Sequence, residues 1–318
     1  MPVRTSAPHF RINNHSRLAW LGSGLAIAIS LLGLLLCWLN PSIGAPLRPG
    51  LDFTGGTQIQ VERTCGTDCP PITSDEVRAT VTPLTLPAEG QERPPNLAGT
   101  TVQVLDGGGT LLLRLPVLNP DQSQFLLNSL ESSYGPLITS GSSVDTIGPT
   151  LGSRILRSSL ISLLVSFIAI SGYISFRYSG IFAILALVCL AHDVLITCGV
   201  FAWLGLGIGI EVDALFAVAL VTVAGYSIND TVVVYDRIRE QKQTLPDLPF
   251  SDQVDTAVDA TLTRSLYTSF TTLLPLLGVI LLGGSSLFWF AVALAVGVAV
   301  GSWSSIGVAP TLLVAARR

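Results

Sequence analysis

The chain has 318 residues, of which 49% are hydrophobic and only 12% charged, and its mean hydropathy is +0.61. A soluble domain of this length carries far more charge, so the composition belongs to a multispanning membrane protein whose first partner is the lipid bilayer. The formal charge of −4 decides little, and no basic face interleaved with aromatic residues points to nucleic acid, so no nucleic-acid partner is expected.

Residues 1–17 are polar, with Arg4, Arg11 and Arg17 and no acid. Leu18–Leu39 is an apolar run well beyond the roughly 7–15 residues of a signal-peptide core, and reads as a retained anchor, transmembrane helix 1. Residues 40–152 change character, holding 11 of the 21 acids, and form a small extracytoplasmic α/β domain. Thr57–Glu62 alternates as a strand, and Thr100–Leu105 and Thr110–Leu115 flank Asp-Gly-Gly-Gly as a hairpin. Ser74–Thr80 and Asp121–Ser132 read as helices, the second opened by Asn-Pro-Asp, and Leu137–Ile147 is positioned to close the sheet. Pro83–Pro95 is a loop without a motif. Cys65 and Cys69, in the segment CGTDC, form a short disulfide if this segment faces an oxidising compartment. Cys37, Cys189 and Cys198 lie in apolar runs and read as small buried thiols.

Five more apolar runs follow, at Ile155–Phe176, Ile181–Leu204, Val212–Tyr235, Leu266–Leu282 and Phe288–Val314. They make a five-helix bundle over residues 153–318, with a loop at 236–264 and a last span that bends or ends early near Gly301–Ser305. The fold class is therefore a polytopic α-helical membrane protein with six spans and one small α/β domain between the first and second. Alternating the sides puts Arg4, Arg11, Arg17, Arg177, Arg237, Arg239, Lys242, Arg264, Arg317 and Arg318 on one face. The opposite short loops, 205–211 and 283–286, hold no Lys or Arg. The positive-inside rule then sets both termini and the 236–264 loop in the cytoplasm and the domain outside.

Asp230 stands near the end of the apolar stretch FAVALVTVAGYSINDTVVVYD, residues 216–236. A carboxylate there costs roughly 2.5–3.5 kcal/mol on insertion, so it needs a partner or a role. At helical spacing Thr222, Tyr226 and Asn229/Asp230 share a face. Two readings stand side by side: a structural acid paired within the protein, or a proton or ion site. His192 and Asp193 lie mid-span with Thr197 one turn on, and form a metal or proton site only if neighbouring residues on a helix, which point to different faces, act together. Arg264 opens the fifth span, with Thr268, Thr271 and Pro275 on its face; it either snorkels to the headgroups or turns inward to pair with Asp230. Ala293, Gly297, Gly301 and Ser305 recur every four residues, a pattern of close helix packing. Asp236, Arg237, Arg239 and Glu240 are read as solvated caps. No phosphate-binding loop, no H-E-x-x-H and no G-x-S-x-G occurs. An intramembrane hydrolase would rest on His192 and Asp193 alone, so the chain is read as no enzyme, with no cofactor and no metal.

The residues also carry a pattern. Leu51–Gly56 (LDFTGG), Ile147–Gly152 (IGPTLG), His192-Asp193-Val194, Gly225–Arg239 (GYSINDTVVVYDRIR), Arg264 with Thr268–Thr272, and Gly283-Gly284 with Gly301–Ser305 occur in order over nearly the whole chain. In these the sequence resembles the SecF family of protein-export membrane proteins, within the resistance-nodulation-division superfamily. The resemblance implies six spans and an external domain per half, paired with SecD beside the SecY/SecE/SecG translocon in a bacterial inner membrane. It implies that protons, the coupling ion, drive late steps in the export of unfolded polypeptide. On that pattern Asp230 matches the family's proton-carrying acid, Arg264 its essential arginine and Asp193 a family position of less defined role, with Tyr226, Asn229 and Thr268 along the pathway. The Cys65–Cys69 segment and the Pro83–Pro95 tract are extra length against the plainest pattern. The alternative is half of a proton-coupled small-molecule exporter of the same superfamily, against which the external domain is small for a drug pocket.

Overall fold

The computed structural model describes residues 8–65, 70–88, 94–105, 108–178 and 180–317. In chain order the elements are α1 (Ser16–Leu39), α2 (Leu51–Thr54), β1 (Gly56–Arg63), α3 (Ser74–Val81), β2 (Thr101–Leu105), β3 (Thr110–Leu115), α4 (Pro120–Tyr134) and β4 (Leu137–Ile147). The remaining helices are α5 (Pro149–Arg177), α6 (Ile181–Gly207), α7 (Ala214–Thr244), α8 (Phe250–Leu282), α9 (Gly284–Trp303) and α10 (Ala309–Ala315), with a wide π-turn at Ser304–Val308 between the last two. They divide into two compact units, residues 50–158 and residues 1–49 with 159–318.

In the first unit the sheet order is β2-β3-β1-β4, and every pairing is antiparallel. With α3 and α4 between the strands this is the β-α-β-β-α-β arrangement. Alternation along the strands decides which face is covered. Ile59 and Val61 of β1 stand opposite Leu113 and Leu111 of β3, and all four are fully buried with Val77, Leu126 and Leu130 of the two helices. Both helices begin on a capping box, Thr73 with Glu76 and Asn119 with Gln122, and Pro120 fits the first helical position. The expected hairpin forms, although residues 106 and 107 of its turn lie outside the described residues, as do 89–93 of the Pro83–Pro95 tract. Cys65 is disulfide-bonded; Cys69 lies outside the described residues.

The LDFTGG segment has a backbone cause. Gly55 and Gly56 turn the chain from α2 into β1 at φ 69° and 130°, values that L side chains avoid. A Cβ on Gly55 would stand 2.9 Å from Pro149 Cα, and one on Gly152 2.9 Å from the Gly55 nitrogen. The two glycine-bearing segments therefore pack backbone against backbone.

Among the described residues, six helical stretches, in the second unit and the helix that leads into it, are long and apolar enough to cross a membrane. In the apolar stretches of α6 and α7, 44% and 50% of the residues are buried, against only 6% and 11% in those of α5 and α8, so α6 and α7 form the heart of the bundle. Contacts between helices are close where glycine permits it. A Cβ on Gly199 would come within 2.2 Å of Ser30 on α1, and one on Gly297 of α9 within 2.1 Å of Val223 on α7.

One expectation needs correction, and one is met in an unforeseen form. Residues 236–264 are not mainly a loop: α7 runs on to Thr244 and α8 starts at Phe250. Val254, Ala257, Val258 and Thr261 are buried at helical spacing there, a periodicity that the charged residues between them mask. Asp255 and Asp259 of this helical extension tie down the N-terminal segment, accepting from the Asn13 and Phe10 nitrogens at 3.0 and 2.9 Å. The last span, expected to bend or end early near Gly301–Ser305, is interrupted there: α9 ends at Trp303 and the chain passes into α10 through the π-turn, where the Ala309 nitrogen donates to the Ser304 carbonyl five residues back.

Candidate functional site

Two carboxylates lie inside the bundle on adjacent helices. Asp193 of α6 is fully buried and Asp230 of α7 is 6% exposed. Asp230 accepts from the Ser265 hydroxyl of α8 at 2.9 Å on one oxygen and from Ser305 at 2.5 Å on the other. Asp193 accepts from His192 Nδ1 at 2.7 Å on Oδ1, and from the Ser227 and Ser304 hydroxyls at 2.5 and 2.7 Å on Oδ2. Thr197, one turn on, bonds the Asp193 carbonyl rather than its carboxylate.

The π-turn joins the two. Ser304 and Ser305 are consecutive, and one serves each acid. The turn touches α6 and α7 at once because its wider coil presents neighbouring side chains to a seam rather than to a single helix. Around it the hydroxyls continue: Ser302 meets Ser269, and Ser269 accepts from the Tyr226 hydroxyl at 3.1 Å. Among the described residues no Lys or Arg forms an ion pair with either acid. Both carboxyl groups are thus held mainly by neutral donors in a buried seam, where a lone charge costs several kcal/mol.

The sequence-derived set falls into two groups. Asp193 and Asp230 come together through Ser227, Ser304 and Ser305. Thr222, Asn229, Arg264 and Thr268 do not join them: all four are exposed on α7 and α8, and Tyr226 is half-buried between the groups. Arg264 makes no ion pair among the described residues, so the pairing with Asp230 is absent here. The physical reason is helical phase: one residue is about 100° of rotation, so Ser265 points at Asp230 while Arg264 points outward. The same phase splits the expected polar face of α7, with Asn229 outward and Asp230 inward.

His192 and Asp193 correct a second expectation. Adjacent on one helix, they nevertheless touch, His192 Nδ1 lying 2.7 Å from Asp193 Oδ1. Among the described residues His192 Nε2 is buried without a hydrogen-bond partner, and the nearby serines bond the acid rather than the imidazole. A serine nucleophile needs the imidazole between acid and hydroxyl, so these contacts do not form a hydrolytic triad. No group of three His, Cys, Asp or Glu side chains lies within metal-binding reach among the described residues.

The small-residue ladder on the last span, read as packing alone, has a mixed role. Gly297 seats Val223 and Gly301 seats Ser227, but the final rung, Ser305, bonds Asp230. Ser265 and Ser304 carry no individual signal in the sequence, and Ser227 shows there only as one of the polar residues beside Asp230. A serine costs little in an apolar span and satisfies itself on the carbonyl one turn back, so it leaves no signal alone.

At one end of the bundle Arg177 pairs with Asp236 at 2.8 Å, and the Tyr178 hydroxyl donates to the same carboxylate at 2.9 Å. Burial, and then that bond, push the Tyr178 phenol above its usual range. Both members of the ion pair are about 40% exposed, 39% and 41%, so it adds at most about 1 kcal/mol. At the other end Arg48 reaches Glu211 at 3.5 Å.

Residues 129–318 match the family described as "Protein export membrane protein SecD/SecF, C-terminal", and residues 42–66, which contain LDFTGG, match the "SecD/SecF GG Motif". The protein translocase subunit SecF of Prochlorococcus marinus is 51% identical over 304 residues, covering 96% of this chain and 94% of that one. The SecF of a Synechocystis species is 40% identical over 297 residues, covering 92% and 90%. The crystal structure of SecDF, a translocon-associated membrane protein from Thermus thermophilus, superposes with a TM-score of 0.78 at 29% identity; it covers 99% of this chain and 40% of that longer one. The chain belongs to the SecF branch of the SecD/SecF family of protein-export membrane proteins.

Proposed function

We propose that the chain is an accessory subunit of the Sec protein translocase that acts with a SecD-type partner and uses the proton-motive force to promote late steps of polypeptide export. Membership of the SecF branch supports the accessory role, and the SecDF structure, in which a counterpart of this chain forms 40% of a longer polypeptide, supports the SecD partnership. The SecY/SecE/SecG translocon and an unfolded polypeptide complete the assembly. Positive residues set both termini in the cytoplasm of a bacterial inner membrane and the α/β domain outside it.

One observation carries the proton reading: two buried acids on neighbouring helices, held by hydroxyls and bridged by a single π-turn. Asp230 accepts one serine hydroxyl on each oxygen; hydroxyls occupy a carboxylate's lone pairs but do not neutralise its charge. Arg264 is one residue from Ser265 on the same helix, so a shift of α8 exchanges hydroxyl for guanidinium at Asp230. The outward polar residues Asn229, Arg264 and Thr268 have no place against lipid and face the partner half. Each proton crossing about 100 mV releases roughly 2.3 kcal/mol, enough to bias such a shift.

The test is a double-mutant cycle on proton-dependent export with Asp230→Asn and Arg264→Ala. If the two groups exchange partners during one cycle, each single variant abolishes the response and the double variant is no worse than either. Losses that add independently contradict the exchange.

A further inference from the structure

Ser227, Thr231 and Tyr235 lie four residues apart and form one stripe on α7. Ser227 bonds Asp193. At about 1.5 Å per residue, Thr231 lies about 6 Å and Tyr235 about 12 Å further along, towards the Arg177–Asp236 end. Across the seam on α6, Cys189 and Phe182 follow Asp193 in the same direction. The Phe182 ring lies 5.2 Å from that of Tyr235, and Cys189 belongs to the same packed cluster.

Thr231 is 1% and Tyr235 0% exposed, yet neither hydroxyl has a hydrogen-bond partner among the described residues. Buried hydroxyls are nearly always bonded. Two such groups in sequence, starting at a buried carboxylate, call for a ligand small enough to enter the seam. The stripe ends beside Tyr178, whose ring is 6.1 Å from Tyr235 and whose hydroxyl contacts the Val232 carbonyl and the half-exposed Asp236.

We propose that the Thr231 and Tyr235 hydroxyls hold a short file of internal water that carries protons between Asp193 and the Asp236 end of the bundle. The Tyr178 and Tyr235 rings narrow its mouth. Each hydroxyl accepts a proton from the water on one side and releases one to the water on the other. One O–H bond forms as one breaks, and nothing is consumed. His192, bonded to the far oxygen of Asp193, fixes that carboxylate at the head of the file. The proposal rests on the proton-coupled reading above and adds its route.

The test compares Tyr235→Phe and Thr231→Val in the full chain with its partner subunit, reconstituted in vesicles. Proton movement and the thermal unfolding midpoint are measured on each. The file predicts proton movement slowed about tenfold by either change, as for one lost hydrogen bond in the path, with the midpoint unchanged or raised because the deleted hydroxyl bonded no protein group. Normal proton movement overturns it. Where a variant unfolds, the unaltered protein is treated with Ag⁺, a thiol reagent of about the size of water, and Cys189 is assayed for protection from later alkylation. Protection supports a hydrated stripe, and full alkylation overturns it. Asp230→Asn is run in parallel. If it is inactive while Tyr235→Phe is normal, the route alone falls; if both are normal, the proton reading itself fails.

Discussion

Replacing Ser305 by alanine deletes the 2.5 Å bond to Asp230 and leaves Ser265, at 2.9 Å, as its donor. The same hydroxyl lies 3.1 Å from the Ser302 carbonyl, so part of any cost belongs to the helix. A hydrogen bond to an ionised carboxylate contributes about 1.5–3 kcal/mol, and one to a neutral group about 0.5–1.5 kcal/mol. Thermal unfolding of the wild type, Ser305→Ala, Asp230→Ala and the double variant in one detergent separates these shares. The seam geometry predicts a coupling of about 1–2 kcal/mol between the two positions. Ser304→Ala should cost less, because Asp193 keeps both Ser227 and His192. An equal loss from Ser305→Ala with and without the Asp230 carboxyl would mean that the serine serves only its own helix, and the bridging role of the π-turn would be lost.

Gly297→Ala places a methyl 2.1 Å from a Val223 methyl, and overpacking of this kind should lower stability by about 1–3 kcal/mol in the same unfolding assay. Cysteines at the exposed positions Gln124 and Gln243 should react with an impermeant reagent from opposite sides, Gln124→Cys from outside and Gln243→Cys from the cytoplasm; reversed labelling contradicts the orientation drawn from positive charge.

The α/β domain was legible almost element by element, and for local reasons. Strand alternation at Thr57–Glu62, a turn between Leu105 and Thr110, and Asn-Pro-Asp ahead of α4 each fix structure within a few residues. The carboxylate at Asp230 was legible because charge in an apolar run is costly. What was hidden depends on phase and on neutral groups. A shift of one residue separates Arg264 from Ser265, and periodicity in a mostly apolar helix does not resolve 100°. The serines that hold the acids carry no charge, and the π-turn that delivers two of them has no sequence signature of its own. The helical start of α8 was hidden by its acids, which bond the N-terminal segment rather than solvent.

The central claim, that Asp230 carries the coupling proton, is tested most directly by the gradient dependence of export. With the partner subunit and translocon reconstituted, the late stage of polypeptide transport is measured with and without an imposed proton gradient. Asp230→Asn, which retains size and hydrogen bonding but not proton exchange, should insert, bind its partner and show no response to the gradient. Arg264→Lys, which keeps charge but loses the planar fork, should respond in part. A full response from Asp230→Asn would make the acid structural and contradict the account.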